Sequence, residues 1–338
     1  MIPNITRDYD SHVKSYPDYP DMDTPYIPLD NTLGCLLFLC ALVGIPGNLL
    51  GALYFSSTTT EDSVSLLYTI ICSVDTITSI THLPVAVALF RGREPGVFGN
   101  YLFCALWDVI YTILQKLSMF LVLLLSTFRT VIIVNPYYKV RIRTILCSVV
   151  GYVVFLVLIP VLQYVITPLR GEFKYSWDGA YCYYNFQIKL EHVINLLLAG
   201  LPPILTFLTL LVSVFKLRYS VTESWKRQAS VTIAMFTTLF LVCNLPLFIN
   251  LMHNMTSTFF GVEYPGVYFG TRFMFWYSWH IAKMQSVVVN AALNPVLYYC
   301  RMGRFRTWSD AVLACSGSAN KEEQNGVNKT DGHETSPL

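Results

Sequence analysis

The sequence predicts an all-α membrane protein: a seven-transmembrane helix bundle with a short amphipathic eighth helix. Three observations predict it. The 338 residues are 54% hydrophobic and only 13% charged, with mean hydropathy +0.49, about half the charged fraction of an average soluble domain. The apolar residues gather in seven runs, about 33–57, 63–89, 101–134, 144–167, 189–217, 224–253 and 268–300, each long enough to cross a bilayer as a helix. Those runs contain Gly44, Pro46, Pro84, Pro160, Pro202, Pro203 and Pro246, which weaken a soluble helix but are tolerated in a membrane one.

Residues 1–31 read as a disordered extracellular tail, because five prolines and six aspartates leave too little apolar surface to fold alone. Asn4-Ile5-Thr6 is a glycosylation sequon, and Tyr9 and Tyr19 sit among acids in a setting that suits sulfation, a plain solvated tail being the alternative. No cleavable signal peptide is expected, since no short apolar run with a cleavage site follows Met1. Residues 32–300 form the bundle, and its short connections make consecutive helices antiparallel neighbours. Residues 301–313 mix Arg301, Arg304 and Arg306 with Phe305 and Trp308, the pattern of an amphipathic helix on an anionic membrane surface. Residues 314–338 are expected to be a disordered cytoplasmic tail. It carries Cys315, a candidate palmitoylation site or a free tail cysteine.

Basic residues set the orientation. With the N-terminus outside, the inner connections hold Lys139, Arg141, Arg143, Lys216, Arg218, Lys226 and Arg227, and Arg301, Arg304 and Arg306 follow the last run. The outer loops hold only Arg91, Arg93, Arg170, Lys174 and Arg272. A second sequon, Asn254-Met255-Thr256, then falls outside in agreement with Asn4. The sequence therefore places the protein in the plasma membrane, N-terminus outside and C-terminus cytoplasmic.

Several function classes are disfavoured. Scattered bases and a net charge of +2 give no nucleic-acid footprint. An enzyme would need a convergent acid, base or metal set, and His82, His253 and His280 do not make one. A secondary transporter would show inverted repeats or paired broken helices, and neither is visible. A transporter or other polytopic membrane protein remains the alternative reading.

Three constellations carry the positive reading. Cys104 and Arg129 lie 25 residues apart on the third run, roughly 37 Å along a helix at ~1.5 Å per residue, so they mark its outer and inner ends. Cys182 lies in the second outer loop, where a disulfide persists, and pairing it with Cys104 would tether that loop over the bundle. Asp75 in the second run is an ionisable group at membrane depth, a functional candidate by default. Asn48, Ser118, Asn290 and Asn294 are natural partners for it, with Asn290 and Asn294 one turn apart on one helix face. Together they suit a hard cation with oxygen ligands, or equally a structural hydrogen-bond network with no ion. Finally, Pro295 removes a donor and frees a carbonyl inside the seventh run, which lipid tolerates only if a neighbour satisfies it.

The chain resembles the rhodopsin-like (class A) G-protein-coupled receptors. The resemblance rests on Gly47-Asn48, Asp75, Cys104, Arg129, Cys182, Pro203, Cys243, Pro246, Asn294-Pro295-Val296-Leu297-Tyr298 and Phe305, in order across about residues 33–313. It implies a non-enzymatic transducer that passes an extracellular ligand's signal to a heterotrimeric G protein when the sixth helix swings outward. Arrestin and kinases at the C-terminal tail are further implied partners. The switch residues would be Arg129, Asn244, Pro246, Asn294, Pro295 and Tyr298. The pocket of Asp75, Asn48, Ser118, Asn290 and Asn294 would hold sodium in the inactive state, with Asp75 as the metal's carboxylate; no other cofactor is implied.

Departures from the family pattern suggest a divergent branch, akin to invertebrate peptide or chemosensory receptors. Phe128 replaces the acid usual before the arginine, Thr130 replaces the tyrosine after it, and Lys226 stands where an acid would face it. One restraint on the resting state is missing, which implies elevated ligand-free signalling. Asn244 stands where the sixth helix usually carries Trp, and the usual fourth-helix Trp and inner fifth-helix Tyr are absent.

The outer half of the bundle offers a ligand pocket from Asp108, Tyr111, Gln115, Lys116, His192, Asn195, Phe248, His280 and Met284. Amine receptors place an Asp where Tyr111 stands, and opsins place the retinal-binding Lys where Val288 stands, so monoamine and retinal ligands are disfavoured. Lys116 and Lys283 suit an anionic ligand, or pair with acids or snorkel outward. A basic peptide steered by the acidic tail and a small chemosensory molecule both remain. Truncating residues 1–31 separates them, because only a peptide response should weaken.

Overall fold

The computed structural model describes residues 27–57, 63–90, 101–135, 137–138, 140–170, 175–178, 181–184, 194, 196–219, 224–260 and 271–314. The helices are α1 (Ile27–Ser57), α2 (Ser63–Thr81), α3 (Leu83–Phe90), α4 (Tyr101–Val134), α5 (Ile142–Arg170), α6 (Leu201–Tyr219), α7 (Ser224–Phe260) and α8 (Thr271–Arg301). Helix α9 follows at residues 303–314. Together α2 and α3 make the second span, so seven spans and the surface helix appear in the order the apolar runs predict.

The bundle closes on itself. Helix α1 packs on α2 and α8, α2 on α4, α4 on α6, α6 on α7, and α7 on α8, while α5 packs on α4 and α2. Large apolar side chains cover its outside. On α5 alone Leu146, Val150, Val154, Phe155 and Leu158 are exposed, an arrangement stable against hydrocarbon and not against water. Among the described residues five helical stretches are long and apolar enough to cross a membrane: Asn31–Ser57, Ser63–Val87, Val109–Val134, Ile142–Ile159 and Leu196–Lys216.

Prolines decide the irregular places, and each is answered by a side chain. Pro84 splits the second span, which the hydropathy pattern reads as one continuous run. At the break Trp107 Nε1 donates to the Thr81 carbonyl at 2.9 Å and His82 Nδ1 lies 2.7 Å from the Thr78 carbonyl. The Ala86 amide reaches the His82 carbonyl at 3.0 Å and restarts the helix. In the fifth span Pro202 and Pro203 withhold two successive donors, and a π-helical turn, Leu196–Gly200, precedes α6. There the Tyr152 hydroxyl of α5 donates to the Leu198 carbonyl at 3.5 Å, the carbonyl that Pro202 would otherwise leave bare. Pro46, Pro246 and Pro295 lie inside continuous helices.

One element departs from the all-helical expectation. Between α5 and α6, β1 (Tyr175–Asp178) pairs antiparallel with β2 (Tyr181–Tyr184), Tyr175 opposite Tyr184. The signal was present as Gly179-Ala180 between two aromatic-rich runs, but hydropathy alone does not register it. Strand β2 lies against α4.

Helix α9 sits under the bundle. Its buried Phe305 packs against Tyr54, Phe55 and Tyr298 with ring centroids 5.3, 6.2 and 6.2 Å apart, while Arg304 and Arg306 stay exposed. The Tyr299 hydroxyl donates to Asp310 Oδ1 at 2.9 Å and ties α8 to α9.

Candidate functional site

The centre of the bundle is built on the stripe Gly44, Gly47 and Gly51 along one face of α1. A Cβ added at Gly47 would stand 2.6 Å from Pro295 Cβ, and one at Gly51 would stand 2.9 Å from Cys72 Sγ. Only hydrogen fits where the rigid ring of Pro295 meets Gly47, so α1 and α8 touch backbone to ring, in the manner of small-residue membrane interfaces.

That closeness brings Asn48 to the carbonyl Pro295 leaves behind. Pro295 has no N–H to give the Ala291 carbonyl four residues earlier, and Asn48 Nδ2 donates to that oxygen at 2.9 Å. One helical turn further, Asn294 Nδ2 donates to Asp75 Oδ2 at 2.7 Å. Asp75 is 1% exposed, Asn48 0%, and Asn290, Asn294 and Ser118 are buried too. Asn48 thus joins α1 to α8 and Asp75 joins α2 to α8. Among the described residues no hydrogen bond ties Ser118 to Asp75.

This centre keeps unused acceptors. The Oδ1 atoms of Asn48, Asn290 and Asn294 are buried with no hydrogen-bond partner. The three amide oxygens and the carboxyl group of Asp75 are hard, oxygen-only donors. Among the described residues no cluster of three or more His, Cys, Asp or Glu side chains forms, so the centre is unlike a transition-metal site.

Below it lies an aromatic plug. Tyr298 is buried at 1% exposure, edge-on to Tyr68 at 5.7 Å and Phe55 at 5.5 Å, and stacked on Phe236 of α7 at 6.1 Å. Toward the C-terminal end of α4, Arg129 is half-buried and its Nε is buried without a partner. Phe128 packs against the apolar core, and the side chain of Lys226 is not among those described.

Around Arg129, hydroxyls join α4 to α6. Thr209 Oγ1 donates to its own Thr206 carbonyl at 2.8 Å, so Ser126 is the donor in the 2.6 Å bond between Ser126 Oγ and Thr209 Oγ1. Thr130 Oγ1 lies 2.8 Å from the Ser126 carbonyl and 3.2 Å from the Thr209 carbonyl, with Ser213 Oγ at 2.7 Å. Its one proton serves a carbonyl, and Ser213 donates to it. The sequence reading marked Thr130 only as a departure; its bonds to α6 carry the contact.

Nearer the N-terminal end of α4, Gln115 Nε2 donates to the Tyr111 hydroxyl at 3.4 Å, and Lys116 is buried next to Gln115 in the chain. Two further residues belong here: Trp107, which the sequence does not single out, and His82, which it offers only as one of three scattered histidines. Trp107 stacks on Tyr111 at 5.3 Å, and His82 meets both rings edge-on at 5.4 and 6.3 Å. Since Nδ1 faces a carbonyl acceptor it carries the proton in neutral His82, which leaves Nε2 a bare acceptor, buried without a partner. Its signal was the pairing of a histidine with the Pro84 break. Asn244 is buried, with Nδ2 donating to the Phe240 carbonyl of its own helix at 2.9 Å. Phe248 lines a groove between α6 and α7.

The remaining candidates are placed only in part. Asp108 lies on α4, His280 and Met284 on α8, and Asn254 toward the C-terminal end of α7, but their side chains are not among those described. The same holds for Cys104 on α4 and Cys182 on β2, two elements that touch. His192, Asn195, Asn4 and Cys315 lie outside the described residues.

No protein-family model matches the chain, and no curated protein does. Solved structures do match. One is the crystal structure of squid rhodopsin, with a TM-score of 0.61 and 14% sequence identity, covering 92% of this chain and 93% of that one. The chain therefore shares the fold of squid rhodopsin, a multi-pass bundle of membrane-spanning helices.

Proposed function

We propose that this protein is a plasma-membrane G-protein-coupled receptor, N-terminus outside, that passes an extracellular signal to a heterotrimeric G protein by outward movement of α7. The observation that carries the reading is the pair of bonds Asn48–Ala291 and Asp75–Asn294 beside Pro295. They hold α1, α2 and α8 together while leaving the inner ends of α6 and α7 to aromatic and hydroxyl contacts. Such a bundle has one fixed side and one that can exchange partners, as a two-state transducer requires. Arg129, with its unpartnered Nε at the inner end of α4, is the group available to the G protein. The ligand is a peptide or a small chemosensory molecule entering over Tyr111, Gln115 and Lys116, and the Cys104–Cys182 pair tethers the loop above. Arrestin and kinases at the C-terminal tail complete the partners.

The central donor set fits a sodium ion. Asp75 with the Oδ1 atoms of Asn48, Asn290 and Asn294 would hold it, and the ion would supply positive charge that the buried carboxylate lacks. Asp75 itself fastens α2 to α8 through Asn294.

Ligand-free signalling gives a test that needs no ligand. Nucleotide exchange in cells expressing the chain should exceed that of mock cells, fall with Phe128→Glu and vanish with Arg129→Ala at equal surface expression. Exchange at mock level, or exchange indifferent to Arg129→Ala, would refute the reading.

A further inference from the structure

Between α6 and α7 the bundle leaves a groove of about 280 Å³, lined by Pro203, Ile204, Phe207, Asn244, Leu245 and Phe248 among others. Ile204, Phe207 and Leu245 are exposed on the outside of the bundle, so the groove opens toward lipid. Among the described residues Asn244 is the one polar residue in its lining, and it is only 4% exposed. Its Nδ2 bond to the Phe240 carbonyl leaves the carboxamide oxygen without a partner among the described residues. At that depth water is scarce, and an unpaired acceptor is costly until a donor meets it. Lipid tails fill an apolar groove but bring no donor.

We propose that this groove binds a lipid-soluble alcohol or phenol whose hydroxyl donates to Asn244 Oδ1 and whose apolar body lies between Phe207 and Phe248. Size narrows the class. An engineered cavity of about 150 Å³ holds benzene, so a space of about 280 Å³ suits a body about twice as large, a fused bicyclic or ten-carbon alcohol. The ligand arrives through the membrane and not through the outer mouth of the bundle. It bears on α7 beside Pro246, where a helix lacking one backbone bond bends most readily. The inference needs only that α6 and α7 lie in lipid, so it stands independently of the G-protein reading.

The test uses the full chain in phosphatidylcholine nanodiscs, with 2-naphthol and naphthalene as probes and protein-free nanodiscs as the blank. Saturable binding should favour 2-naphthol roughly 3- to 10-fold, the worth of one neutral hydrogen bond. Asn244→Leu should erase that preference while naphthalene still binds. Ile204→Trp should fill the groove and weaken both probes about tenfold, and Leu245→Trp, from the facing helix, repeats the test should the first variant melt early. Leu39→Trp, on the exposed face of α1, should change neither. Absence of saturable binding, a preference that survives Asn244→Leu, or binding indifferent to both groove-filling variants would overturn the proposal.

Discussion

Along α1, Gly44, Gly47 and Gly51 bring the backbone onto Ser79, Pro295 and Cys72, whereas α4 meets α6 through the hydroxyls of Ser126, Thr130, Thr209 and Ser213. The first contact is a matter of shape. A proline ring against a glycine has one good arrangement, and the two amide bonds beside it keep α8 in register with α1 and α2. The second contact is a matter of exchangeable bonds. A hydroxyl can give or accept, so a small slide of α6 can re-form the set with shifted partners. Lipid-facing α5 shows a third condition, with Gly151 meeting nothing within 4 Å. The bundle is therefore firm on one side and adjustable on the other, and the groove at α6–α7 lies on the adjustable side.

Substitutions should separate the two sides. The largest effect is expected at Gly47→Val, where the added carbons overlap Pro295. Overpacking of this kind costs typically ~1–3 kcal/mol and sometimes more, so surface expression and thermal half-life in detergent should fall sharply. Asn48→Ala comes next. It strips the Ala291 carbonyl of its donor, a buried unsatisfied group worth roughly 1–3 kcal/mol, and the melting temperature should drop. An unchanged melting temperature would mean that the carbonyl finds another donor.

On the adjustable side stability should hardly move while signalling should. Thr130→Val keeps the shape and removes the bonds to Ser213 and Thr209, at about 0.5–1.5 kcal/mol. Ligand-free nucleotide exchange should rise, and a fall would show that the hydroxyls favour the active arrangement instead. The smallest effect is expected at Val150→Ala, whose side chain is 58% exposed on the outside of the bundle. Melting temperature and exchange should both stay within error, and a clear loss would place a partner on that face of α5.

Much of this was legible without coordinates. The spans, the surface helix and the buried polar residues all follow from local pattern, as do the places where proline breaks the backbone ladder. Asn290 and Asn294 share a face because four residues make about one helical turn. The requirement that Pro295 find a donor for its orphaned carbonyl also followed from proline chemistry. Which donor answers it did not. Asn48 and Ala291 are 243 residues apart, and hydropathy reports that a residue lies in lipid without reporting which way it faces around its helix.

The sequence by itself determined a helical membrane bundle with a polar centre at Asp75, because burial in hydrocarbon makes each apolar span satisfy its backbone as a helix and each intramembrane polar residue seek a partner. Tertiary structure alone decided the pairings: Gly47 against Pro295, Trp107 and His82 at the Pro84 break, Thr130 on Ser213, and the groove beside Asn244. Those depend on the rotation and register of helices far apart in the chain, and only side-chain packing between helices sets that geometry.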